Sequence, residues 1–200
     1  MPTHPSSHPL RLLYGTLGGI LLSIAGFLPW ALAGRPLTRS FGEAGMYAVC
    51  ALAFLALSAP LLHRLLSGPN SLRRFYALFI ASFIPYSIAW TIGWMALRGH
   101  PGSAAGLLLG CLAMAIVLCA WFRRWSLIPL ITLALLLFQT PGYFLGGWAY
   151  GALGTLAKAS PILAIFAKLS WGLFFGAGLG AGLAIALHRL QTTATTEGSH

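Results

Sequence analysis

The run Gly172-Leu173-Phe174-Phe175-Gly176-Ala177-Gly178-Leu179-Gly180-Ala181-Gly182 says more about the architecture of this chain than any other stretch. Glycine in a water-exposed helix costs about 1 kcal/mol relative to alanine. In hydrocarbon the backbone polar groups have no other partner, so such a segment stays helical and its small residues become surfaces that a second backbone can approach closely. On a helical wheel Gly172, Gly176 and Gly180 fall within about 80° of one another, with Gly178 and Gly182 on the other side. The segment therefore offers two small surfaces, and the small faces of the first and third spans are its expected neighbours.

Composition gives the class independently. Of 200 residues, 58% are hydrophobic and 7% charged, with a mean hydropathy of +0.83, against about 25% charged residues in soluble domains. The expected fold is all-α, a polytopic integral membrane helical bundle forming a single domain over residues 1–200. Its approximate spans are 11–33, 44–66, 73–97, 103–122, 126–148 and 162–188, with short disordered tails at 1–9 and 191–200. Six transmembrane helices are expected, or five if the first is cleaved or the fifth is re-entrant. The first span starts basic and ends Ala31-Leu32-Ala33 like a signal peptide. Its apolar stretch exceeds the usual signal core of about 7–15 residues, and Gly15, Gly19 and Ser23 recur at i+4 as in packing helices, so a retained helix is expected.

The formal net charge of +10 would suggest nucleic acid in a soluble protein. Here the basic residues lie between apolar runs, the pattern of helix ends held at lipid headgroups, so membrane lipids are the expected partner and nucleic acid is not. With six spans, Arg11, Arg64, Arg73, Arg74, Arg123, Arg124 and Arg189 share one side, and Arg35, Arg39, Arg98, Lys158 and Lys168 share the other. The bias places both termini on the cytoplasmic side, in keeping with a bacterial inner membrane.

Between the first two spans, residues 34–43 read as a loop holding Glu43, the one acid outside the C-terminal tail. Glu43 is either a solvated carboxylate near Arg39 or a proton or cation site at the membrane edge. The turn Ser67-Gly68-Pro69-Asn70-Ser71 precedes the third span, with Ser71 a candidate helix cap. In that span Phe75, Phe79, Phe83, Tyr86, Trp90 and Trp94 form one aromatic stripe, and Ala77, Ala81, Pro85, Ala89 and Gly93 run at i+4 opposite it. The small side is expected in helix contact. The aromatic side then faces lipid or a groove for an apolar ligand, a bound lipid or a pigment, and Trp90 and Trp94 suit an interfacial belt. The fourth span carries Gly106 and Gly110 at GxxxG spacing.

The fifth span is interrupted. Ser126 to Phe138 spans only roughly 20 Å, short of a core of about 30 Å, before Gln139-Thr140-Pro141-Gly142. Either one helix bends at Pro141 or the chain re-enters, and interrupted spans mark binding sites in transporters. Residues 150–160 read as a loop or surface helix. Lys168 snorkels to the headgroups if the sixth span begins near Ser170, or becomes a cation within the bilayer if the helix inserts from Pro161.

Little catalytic chemistry is on offer. Glu43 and Glu197 are the two acids, which excludes paired-carboxylate hydrolysis, and no serine sits in a nucleophile motif. His4 and His8 lie on the N-terminal lead without further ligands. His63 and His188 are the one pair placed to share a metal or haem, at shallower depth than haem ligands usually take. Cys50, Cys111 and Cys119 lack CxxC spacing and read as small buried hydrophobes. No catalytic, cofactor or metal site is expected. Two functions remain: a structural or accessory component packing with itself as a homo-oligomer or with a larger membrane complex, or a small transporter or lipid- and hydrophobe-binding protein. The second would use Gln139, Thr140, Pro141, Lys168, Glu43, Tyr86, Trp90 and Trp94.

Overall fold

The computed structural model describes residues 8–156 and 160–196, and the side chains of all of these except 43, 44 and 193–196. Six helices are long and apolar enough to cross a membrane. They are α1 (His8–Gly42) and α2 (Gly45–Leu65), α3 (Ser71–Leu97), α4 (Gly99–Trp121), α5 (Ile128–Leu156) and α6 (Pro161–Thr196). The protein is thus an all-α, multi-pass membrane bundle.

Several stretches expected to be irregular are helical. Residues 34–42 continue α1 instead of forming a loop, past non-helical torsions at Ala33 (φ −126, ψ 19). The chain turns into α2 at Gly42, whose φ of 71 with ψ of 177 is open only to glycine without strain. Of the two readings of the fifth span, the single helix holds: α5 is continuous with Pro141 inside it and does not re-enter. Of the loop or surface helix expected over 150–160, the described part to Leu156 is helical and continues α5, and the described part of the C-terminal tail, residues 191–196, extends α6. Before α3 the cap position is Asn70, at φ 55 and ψ 30, and no side chain caps the helix, so Ser71 does not play that part. Glu43 is in the helical backbone, but its side chain, like Lys158 and residues 1–7 and 197–200, lies outside the described residues.

The glycines of α6 divide between two neighbours. A Cβ placed on Gly15 would lie 2.6 Å from the carbonyl oxygen of Gly180, and one on Gly19 2.7 Å from the Gly180 Cα. Gly176 likewise abuts Gly19 and Ser23, and Gly172 the Ser23 carbonyl. The other surface meets α5, where a Cβ on Gly178 would lie 3.1 Å from the Gln139 Cα and one on Gly182 3.4 Å from the Leu135 Cα. The first expected neighbour is therefore α1 as read, and the second is the fifth helix, not the third.

The reason lies in α3, whose aromatic stripe faces inward. Phe75, Phe79 and Tyr86 are buried while Ala77 and Ala81 are exposed, the reverse of the expected orientation. Phe75, Phe79, Phe83 and Tyr86 stack in sequence with centroids 5.6, 5.2 and 5.6 Å apart, and Phe54 of α2 stacks on Phe83 at 4.9 Å. Spacings of 4, 4, 3, 4 and 4 hold the aromatics within a narrow arc. An unbroken i+4 series drifts by about 40° per step, which carries Gly93 roughly 160° from Ala77 and onto the aromatic side. There Gly93 meets the Gly106 backbone, while Trp90 and Tyr86 lie over Gly106 and Gly110 of α4. α3 buries large rings against the glycines of α4 and has no small face to offer α6.

Candidate functional site

Two polar features stand out inside this frame, one at an end of the α1–α6 seam and one deep between α3 and α5. The first is a cleft of about 510 Å³ lined by Trp30, Gly34, Arg35, Thr38, Arg39 and Lys168. Because 34–42 is helical, Arg35, Thr38 and Arg39 at i, i+3 and i+4 share one face of that segment. Lys168 comes from α6 across the cleft. Its Nζ donates to the Trp30 carbonyl at 3.1 Å and stands 4.9 Å from the centroid of the Trp30 ring, a cation–π placement.

The position of this cleft along the bundle follows from helix rise. Lys168 and His188 are separated by about 30 Å along α6, which matches the thickness of a bilayer core. The His188 ring meets that of His8 with centroids 4.8 Å apart, so both described chain ends sit at the same end of the bundle and the cleft at the opposite one. The last helix does begin at Pro161, two turns before Lys168.

The second feature is a hydrogen bond of 2.8 Å from the Tyr86 hydroxyl to Gln139 Oε1, with both residues buried. Gln139 Nε2 has no partner among the described residues. Nearby, the Ser103 and Tyr143 hydroxyls approach to 3.3 Å, and Tyr143 packs against Trp90 at 6.0 Å and Trp171 at 5.6 Å. The contact joins α3 to α5 where unpaired polar groups are costly.

The expected site residues thus do not form one site. Tyr86 and Gln139 come together, with Trp90 beside them through Tyr143. Thr140 is half-buried and Pro141 exposed, off the buried face. Trp94 stacks on Trp90 at 6.1 Å and carries the Arg98 guanidinium 4.7 Å above its ring, as suits a helix end. Lys168 does not join Gln139: Gln139 packs against Gly178, roughly 15 Å farther along α6. Its companions are Trp30, Arg35, Thr38 and Arg39, none of which the sequence reading proposed. Their i, i+3, i+4 spacing was the available signal, hidden by reading 34–43 as a loop.

His63 Nδ1 donates to the Ala59 carbonyl at 3.0 Å, and the aromatic neighbour of His188 is His8. Among the described residues no three His, Cys, Asp or Glu side chains gather as metal ligands would. The described cysteines are free, with Cys111 and Cys119 buried and Cys50 half-buried.

Comparison with protein-family models, with curated proteins and with solved structures gave no match.

Proposed function

We propose that this protein is a lipid- or hydrophobe-binding membrane component, which holds a ligand with a negatively charged head at the α1–α6 cleft and catalyses no reaction on it. The observation that carries this is the convergence of Arg35 and Arg39 from one helix and Lys168 from another on a single opening floored by Trp30. Basic side chains that only anchor helix ends have no reason to share one cleft. Each cation near an anionic headgroup is worth about 1 kcal/mol, so three together favour an anionic over a zwitterionic head by roughly 100-fold.

A role as an accessory subunit stays compatible with the bundle, but not through the glycines of α6. The glycines of α6 face α1 and α5 of the same chain, so association with a second copy or a larger complex would use the lipid-facing leucines and isoleucines instead. The basic residues around both chain ends support a placement with the termini in the cytoplasm of a bacterial cell and the cleft opening on the far side of the inner membrane.

Native mass spectrometry of the protein purified with a mixture of phosphatidylglycerol and phosphatidylcholine tests the binding role. Retention of phosphatidylglycerol, lost in Arg39→Gln/Lys168→Gln, is expected. Equal retention of the two lipids, or enrichment that survives the double substitution, contradicts it.

A further inference from the structure

We infer that the cleft is matched to a doubly charged phosphate group, a phosphomonoester head, in preference to the singly charged phosphodiester of ordinary anionic phospholipids. This rests on the anion-binding reading above and narrows it to a ligand class. The count of charges and donors carries the inference. Arg35, Arg39 and Lys168 bring three formal positive charges to one opening, and no acid is among the described residues lining it. A phosphodiester carries one negative charge on two free oxygens and leaves most of that charge unanswered. A phosphomonoester carries about −1.5 to −2 and presents three terminal oxygens.

The donors are arranged for several oxygens at once. Each guanidinium offers a planar fork suited to two oxygens of one phosphate, and the two forks stand one helical turn apart on the same face of α1. Lys168 approaches from the other wall. One of its three N–H groups is engaged by the Trp30 carbonyl at 3.1 Å, which fixes the ammonium in place and leaves two for a ligand. Thr38, between the two arginines in sequence, adds a hydroxyl on the same face. A volume of about 510 Å³ exceeds what a phosphate needs and has room for the glycerol or sugar that bears it.

The same chemistry occurs at a lipid head and in a soluble phosphate ester, so the test has an arm for each. Protein in nanodiscs of phosphatidylcholine is supplemented with phosphatidic acid or with phosphatidylglycerol at equal content, and bound lipid is counted by native mass spectrometry. Phosphatidic acid should be retained about five- to tenfold over phosphatidylglycerol. Lys168→Gln should bring the two lipids close to parity, and Arg39→Lys, which keeps the charge and loses the fork, should lower the preference while leaving the melting temperature unchanged.

Displacement of phosphatidic acid by millimolar glycerol 3-phosphate would identify a soluble phosphate ester as the ligand. Failure to displace it would identify the membrane lipid, and either result supports the doubly charged class. Equal retention of phosphatidic acid and phosphatidylglycerol, both above phosphatidylcholine, overturns this inference and leaves anion binding standing. Equal retention of all three lipids, with no effect of glycerol 3-phosphate, overturns both.

Discussion

Helices α1 and α6 meet twice, in opposite ways. Around Gly15, Gly19, Gly176 and Gly180 they touch backbone to backbone, so closely that no Cβ fits between them. At the far end the same two helices part around Trp30, Arg35, Arg39 and Lys168 and leave an open cleft. The difference is one of side-chain size and charge on a shared pair of helices. Glycines close the seam where only hydrocarbon could fill a gap. Long cationic chains and the irregular turn at Ala33 keep it open at the far end. The closed part supplies the rigidity against which the open part can hold three like charges near one another.

The closed seam is where substitution should do most harm. Gly180→Leu forces a branched side chain into the Gly15 carbonyl and should cost more than about 3 kcal/mol, seen as loss of folded protein or a collapse of the melting temperature in mild detergent. A variant that melts like the wild type would mean the helices do not touch there.

At the open end the expected effect falls on binding and not on folding. Replacing Arg35, Arg39 and Lys168 together by glutamine should lower affinity for an anionic lipid roughly 100-fold, with the melting temperature held or raised as like charges are removed. Loss of the fold in that variant would show that the cations are structural and would erase the distinction between the two ends.

Smaller effects separate the polar contact between α3 and α5 from both. Tyr86→Phe leaves the Gln139 amide without its hydrogen bond and should cost about 1 kcal/mol in unfolding measurements. Gln139→Leu removes the unpartnered Nε2 as well and should cost less than Tyr86→Phe; the opposite order would mean that Nε2 has a partner in the membrane, such as a bound water. Smallest of all, and opposite in sign, Gly147→Ala adds a Cβ to a helical position with no atom within 4 Å and should stabilise by at most about 1 kcal/mol.

Six spans and the glycine contacts of α6 with α1 could be read from the chain, because each depends on local composition and helical period. What could not be read depended on which helix faces which. An aromatic stripe suits lipid and core equally by hydropathy, and only the pairing of α3 with the glycines of α4 turns it inward. Gln139, Thr140, Pro141 and Gly142 look like a break by sequence, yet proline and glycine in a membrane helix are tolerated when neighbours pack around them, as Phe174 and Gly178 do around Gly142. Arg35 and Arg39 were visible as charges, but Gly34, Pro36 and Gly42 made their segment read as a loop. Their common face with Thr38 exists only because that segment is helical.

A density map of the protein purified from its own membrane, without added lipid, would examine the open end of the α1–α6 seam itself. A tetrahedral, phosphate-sized feature within hydrogen-bonding distance of Arg35, Arg39 and Lys168 is the expected result. The contradicting result is a map in which these three side chains splay apart into solvent and no anion lies between them.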